Sequence, residues 1–194
     1  MTFNVVISGI GGQGVLTLSE IIAQSAFAAG YDVRTAELHG LSLRFGPLAA
    51  HVRFGKKISS PLIPVGSADL ILGLERLESL RALEFAGDKT IVMFDTRAAV
   101  PTLMSIKKQK YPLEKEAEKK IAKAAKKAIH VPATKIVKAA GFDPISANIY
   151  LLGRAIRQKI LPLKKNDVLK GMAIVVPPHL LEMNKKVFEL GLKK

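Results

Sequence analysis

Four glycines fall within six residues, at Gly9, Gly11, Gly12 and Gly14, directly after the apolar run Phe3–Ile7 and directly before the helical spacing of Leu16, Ile21, Ile22 and Ala26. A chain built this way must turn sharply between a strand and a helix. Glycine permits the positive-φ conformations such a turn needs, and it lets backbone N–H groups and the positive end of the next helix approach a phosphate. The G-x-G-x-x-G match at Gly9, Gly11 and Gly14 therefore predicts a Rossmann-like strand–turn–helix unit. Its candidate cofactor-binding residues are Gly9, Gly11, Gly12, Gln13 and Gly14. No Lys-Ser or Lys-Thr follows Gly14, so the turn is not a P-loop.

The pattern continues as alternating strands and helices. Gly30 stops the first helix, and Tyr31–Ala36 reads as a second strand ending at Glu37. Leu48, Ala50, Val52 and Phe54 alternate with Ala49, His51 and Arg53, the period of a strand with one face buried. Gly55-Lys56-Lys57 is expected to turn that strand into a hairpin with Ile58 and its neighbours. Ala68–Gly73 and Thr90–Phe94 are short apolar runs of the kind buried in a parallel sheet, with Asp95 at the end of the second. Pro112 opens a lysine-rich helix over 113–128 with Leu113, Ala117, Ile121, Ala124 and Ala128 as its apolar stripe. Ile129–Pro132 reads as a last strand, and Thr134 as the cap of a helix stopped by Gly141. Pro144 starts another helix, with Ile149, Leu152 and Ile156 on one side, which Pro162 ends. An apolar run, two prolines and a short helix complete the chain. The expected fold is α/β, a three-layer Rossmann-like arrangement with a mostly parallel sheet and a hairpin insertion after the second strand. Residues 1–194 fit a single domain.

Composition removes several chemistries. The 194 residues contain no cysteine, which excludes iron–sulfur ligation and thiol catalysis by this chain and is compatible with a reducing cytoplasm. No run of about 18 apolar residues occurs, so no membrane span is expected, and no export signal precedes the first strand. The net charge of +14 is concentrated, because residues 101–165 carry 16 Lys or Arg against 4 Asp or Glu. Such a surface is either a solvated lysine face or one that steers nucleic acid, an acidic protein or an anionic substrate. Few aromatics are interleaved with the lysines, which argues against nucleic acid. Histidines at 39, 51, 130 and 179 show no i, i+4 pairing, and no metal ligand set is nominated.

Glu37 lies 23 residues beyond Gly14 at the end of the second strand, where a dinucleotide-binding domain carries its ribose-binding acid. A self-contained NAD(P)-binding Rossmann oxidoreductase is thus one reading, although no catalytic acid or base can be named for it. His39, Ser42 and Arg44 form a polar cluster in the loop that follows. Asp69 and Asp95, at strand ends, suit a capping role and a site role equally, and Asn148 reads as a helix-packing hydrogen-bonder rather than a catalyst.

The runs GIGGQGV, ELHGLSLRFG, HVRFG, ADLILGLE and NIYLLG, with a terminal pattern at Glu182, Asn184, Phe188 and Gly191, resemble the gamma-type domain of 2-oxoacid:ferredoxin oxidoreductases over nearly the whole chain. Where that family is expected to read Ser-x-Gln-Arg-Gly-Gly, this chain has Ser42-Leu43-Arg44-Phe45-Gly46. The resemblance implies an accessory, cytoplasmic subunit of a hetero-oligomer that decarboxylates an arylpyruvate oxidatively with coenzyme A and reduces ferredoxin. It also implies that thiamine diphosphate and the iron–sulfur clusters belong to a larger catalytic subunit, since side chains supply neither carbanion nor electron chemistry. Gly87-Asp88-Lys89 is not the Gly-Asp-Gly that opens a thiamine diphosphate metal site. On this reading the chain has no catalytic residue of its own and is inactive alone. The glycine turn would meet a coenzyme A phosphate, and Glu37, His39, Ser42 and Arg44 would contact the partner or the ligand.

Overall fold

The computed structural model describes residues 2–39, 46–99 and 111–193. Its strands are β1 (Thr2–Ile10), β2 (Asp32–His39), β3 (Pro47–Gly55), β4 (Leu70–Gly73), β5 (Ile91–Asp95) and β6 (Lys127–Val131). Its helices are α1 (Val15–Ala28), α2 (Arg76–Arg81, extended by a 3-10 turn over Ala82–Phe85), α3 (Glu114–Ala124), α4 (Ala133–Ala139), α5 (Ala147–Arg157), α6 (Lys165–Val175) and α7 (Pro178–Lys193).

Six strands form one sheet in the order β2-β3-β1-β4-β5-β6. The β1-β4, β4-β5 and β5-β6 pairs are parallel, whereas β3 runs antiparallel to both β1 and β2. Alternate residues of each central strand enter two apolar layers. Val5, Ile7, Leu70, Leu72 and Met93 meet α1 and the helices α4 to α7. Val6, Ile71, Val92 and Phe94 face the other way, toward Ala82 and Ile121. This alternation is what a sheet covered on both faces requires.

The hairpin is present, but its strands are β2 and β3, in register from Asp32 opposite Gly55 to His39 opposite Leu48. Ile58 forms no strand. Pro61 and Pro64 cannot donate to a ladder, and the segment instead packs over the sheet. The Ile58 N–H donates to Asp32 Oδ2 at 2.8 Å, and the Ile63 N–H donates to His51 Nδ1 at 3.1 Å.

Three other boundaries differ from expectation. The lysine-rich helix ends at Ala124, because Lys127–Val131 is drawn into the sheet beside β5. Ala128 is therefore a strand residue, Leu113 is exposed, and Ala117 and Ile121 are the buried stripe of α3. Thr134 is not the cap of α4, where Pro132 holds that position. The apolar run after Gly171 is helical, so the C-terminal region holds two helices, with Pro177 between them and Pro178 opening the second.

Two crossings of the helical layer depend on missing side chains. A Cβ at Gly171 would stand 2.4 Å from Ser25 Oγ and 2.7 Å from the Ile21 carbonyl oxygen, so α1 and α6 meet in close contact there. A Cβ at Gly153 would stand 2.5 Å from the Phe188 carbonyl oxygen, and one at Gly191 the same distance from that of Tyr150. These two glycines let α5 and α7 approach backbone to backbone.

Candidate functional site

A cavity of about 430 Å³ lies beyond the carboxyl ends of β1, β4 and β5, the position at which open α/β sheets bind ligands. Gly11, Gly12 and Gln13 form one wall, Asp95, Arg97 and Thr134 a second, and Asp143, Ile145 and Asn148 a third.

The glycine turn is fixed by its own hydrogen bonds. The Gln13 N–H donates to the Ile10 carbonyl at 3.0 Å, and Gln13 Oε1 accepts from the Ile10 N–H at 2.8 Å. The Gly11 N–H donates to the Gly46 carbonyl at 2.9 Å, pinning the turn to the start of β3. Gln13 thus spends its oxygen on the turn itself. A Cβ at Gly9 would lie 2.8 Å from that oxygen and 2.9 Å from Val15 Cγ2, so Gly9 serves packing inside the turn. Gly12, at φ 99°, is exposed with open space around it. It presents bare backbone to the cavity.

Gly14 occupies the N-cap of α1 at φ 74° and ψ 31°, and no side chain caps the helix. A Cβ there would meet Asn148 Nδ2 at 2.3 Å. Asn148, buried on the first turn of α5, donates from that nitrogen to the Gly14 carbonyl at 3.1 Å. The sequence reading of Asn148 as a packing hydrogen-bonder agrees with this contact, and the residue also lines the cavity.

Asp95 is 1% exposed. Burial pushes its carboxyl above the ordinary range, opposed by hydrogen bonds from Thr134 and Arg97 that favour the ionised form. Thr134 donates to Asp95 Oδ2 from its N–H at 3.1 Å and also from its hydroxyl. The carboxylate of β5 therefore supplies the cap that α4 lacks. Asp143 similarly accepts from the Ile145 N–H at 2.8 Å and orders the turn before α5. Arg97 is the exposed cation of the cavity wall.

Glu37 is exposed on β2, opposite Ala50 and level with Ile7. It does not line the cavity. Because β3 intervenes, β2 lies two strand spacings from β1, roughly 10 Å. His39 ends β2 opposite Leu48. Ser42 and Arg44 lie outside the described residues. Among those described, no group of three or more His, Cys, Asp or Glu is placed to hold a metal ion, and no helix is long and apolar enough to cross a membrane. Arg97 and Asp143 gave no periodic or motif signal in the sequence; only the end-of-strand position of Asp95 pointed toward this wall.

Residues 4–194 match the family described as pyruvate ferredoxin/flavodoxin oxidoreductase. The chain belongs to that family. Within it, the chain is 34% identical to the indolepyruvate oxidoreductase subunit IorB of Thermococcus kodakarensis over 192 residues, covering 98% of this chain and 95% of the relative. The subunit of the same name from Pyrococcus horikoshii is also 34% identical, with the same coverage of each chain. The fold is shared with the gamma subunit of a keto/oxoacid ferredoxin oxidoreductase from Geobacter sulfurreducens, at a TM-score of 0.71 and 19% identity, over 98% of this chain and 96% of that one. It also matches part of a 2-oxoglutarate:ferredoxin oxidoreductase from Magnetococcus marinus solved with coenzyme A bound. That match has a TM-score of 0.73 at 16% identity and covers 98% of this chain and 30% of the other. The present fold thus occurs both as a separate chain and within a longer one.

Proposed function

We propose that this chain is the accessory subunit of an indolepyruvate-type 2-oxoacid:ferredoxin oxidoreductase, acting in the cytoplasm within a hetero-oligomer. The observation that carries the reading is the 34% identity to IorB subunits across 98% of the chain. The donor set is consistent with it. Iron–sulfur clusters need thiolates, and the sequence has none. The Gly-Asp-Gly that opens a thiamine diphosphate metal site is not in the sequence, where the nearest run is Gly87-Asp88-Lys89. These cofactors, which supply carbanion stabilisation and electron transfer when bound, are assigned to a larger partner subunit.

The role of this chain is to complete a ligand site. The open backbone of Gly12, the uncapped start of α1 and the Arg97 side chain offer donors and positive potential to a phosphate of coenzyme A. Asp95 and Asn148 hold the surrounding elements in place. The NAD(P) reading has less support, because a ribose-binding acid belongs on the strand next to β1 and Glu37 is two strands away.

The test is reconstitution. Co-expressed with its larger partner, the chain should support indolepyruvate- and coenzyme A-dependent reduction of ferredoxin, and alone it should support none. A Gly12→Val substitution should raise the KM for coenzyme A more than that for the 2-oxo acid, and an unchanged coenzyme A dependence would remove the turn from the site. Oxidation of a 2-oxo acid by the isolated chain would overturn the subunit assignment. The exposed lysines 119, 120, 123, 126 and 127 on and after α3 suit an acidic electron acceptor such as ferredoxin. Ferredoxin reduction should then weaken steeply with salt, and a rate insensitive to salt would refute the steering role.

A further inference from the structure

A second cavity, of about 270 Å³, lies on the opposite face of the sheet from α1, between β3 and the helix α2 with its 3-10 extension. Leu38, Pro47, Ala49 and Phe85 give it apolar walls, and Ser8, Glu78, Arg81 and Glu84 are its polar lining. Ser8 is 2% exposed and its Oγ has no hydrogen-bond partner among the described residues. A buried hydroxyl left in that state costs free energy, which is recovered only by a donor or acceptor arriving from outside.

Glu78 is 4% exposed. Its Oε1 accepts from Arg81 at 2.7 Å, while Oε2 has no partner among the described residues. Glu84 adds a second carboxylate to the lining, so the cavity has two acids against one arginine in a chain of net charge +14. The ligand this arrangement suits has an apolar stem and a cationic end.

We propose that this cavity receives a lysine side chain of the larger partner subunit, its ammonium donating to the Ser8 hydroxyl and to the free oxygen of Glu78. An ammonium fits better than a guanidinium. The two open acceptors belong to different groups, which suits the three rotatable N–H donors of an ammonium, whereas the planar arginine fork wants both oxygens of one carboxylate. The aliphatic stem of lysine matches the apolar walls. Burial pushes Glu78 up to about 6 even with Arg81 beside it, and an incoming cation adds a second counter-charge. The source is a partner chain because the cavity includes exposed Leu38 and lies by the outer edge of β2, eight residues long and without a second neighbour among the described strands. Such an edge is a docking surface in a protein whose relatives are subunits.

The experiment has two arms. In the first, the isolated chain is titrated with n-butylammonium at pH 7.5 and followed by amide NMR. Resonances of Ser8, Ala49 and Glu78 should shift, with binding about tenfold weaker in Glu78→Gln, the loss of one charge-assisted hydrogen bond. Ser8→Ala, which leaves the carboxylate in place, should also weaken it. In the second, the complex co-expressed with the larger subunit is treated with a water-soluble carbodiimide, and mass spectrometry should find Glu78 joined to a partner lysine. Equal response to n-butanol would reduce the cavity to an apolar dent and overturn the proposal. Binding of putrescine at micromolar concentration with no partner cross-link would make it a free-polyamine site and overturn the partner assignment. Neither arm depends on coenzyme A, so the phosphate-site reading can fail without touching this one.

Discussion

Asn148 and Gly14, 134 positions apart in the chain, are tied by a 3.1 Å hydrogen bond that sets the start of α5 against the start of α1. The same contact explains why position 14 is a glycine twice over, by its left-handed backbone and by the amide nitrogen that a Cβ would strike. A Gly14→Ala substitution should cost about 1–2 kcal/mol from the backbone alone, with the clash in addition. Asn148→Ala should cost about 1 kcal/mol for the lost bond. Combined, the two should cost less than their sum, because removing the amide makes room for the methyl. Urea unfolding of the four proteins of this cycle measures the coupling, and strict additivity would contradict the contact.

The crossing of α5 and α7 predicts a contrast between glycines. Gly153→Ala or Gly191→Ala forces a methyl against a carbonyl oxygen 2.5 Å away, and each should destabilise by about 3 kcal/mol. Gly30→Ala meets nothing within 4 Å and strains only a φ of 85°, for about 1 kcal/mol. Thermal unfolding that ranked Gly30 with the other two would show that the helices can separate at no cost.

Two buried groups give opposite pH dependences. Burial, aided by Arg53, holds His51 down at about 4. Because its folded value is depressed, the stability it contributes is complete above about 6.5 and is lost as pH falls from there toward 4. Burial holds Glu78 up at about 6 against an ordinary 4.5. The folded state keeps that proton longer, so its contribution is present at low pH and is lost as pH rises from 4.5 through 6. Each is worth on the order of 2–3 kcal/mol, so they partly cancel in the native protein. Glu78→Gln should therefore lose stability on acidification from pH 6.5 to 4.5 more steeply than the native chain, and His51→Gln less steeply or with reversed slope. Urea midpoints across that range decide it, and unchanged slopes in both variants would refute the assignment.

Thr134 and Asp95 provide a fourth test. Thr134→Val removes the hydroxyl donor to a buried carboxylate while keeping the shape of the side chain. It should destabilise by about 1–2 kcal/mol and move the Asp95 carboxyl further above the ordinary range, as read by carbonyl NMR titration. A carboxyl that did not move would mean that the hydroxyl points elsewhere.

Much of this architecture is legible in residue order because local rules carry it. Apolar runs such as Thr90–Phe94 can be buried on both sides only in a covered sheet, and the glycines of the first turn leave the backbone few alternatives. The lysine-rich helix shows where such rules stop. Residues 125–128 keep a helical composition, yet pairing with β5 outweighs propensity, and the helix ends at Ala124. The same override moved the hairpin partner from Ile58 to β2.

By itself, then, the order of residues determined the α/β class, the glycine turn, the family and the absence of sulfur ligands. Each of these rests on neighbours in the chain or on composition. Only the tertiary structure decided that β3 separates β2 from β1, which withdraws Glu37 from the cavity, and that Asp95 meets Thr134 across 39 residues and Asn148 meets Gly14 across 134. The physical reason is that strand order and side-chain pairings between distant elements are selected by packing of the whole sheet and its helices. Such selection leaves no periodic trace in the segments it joins.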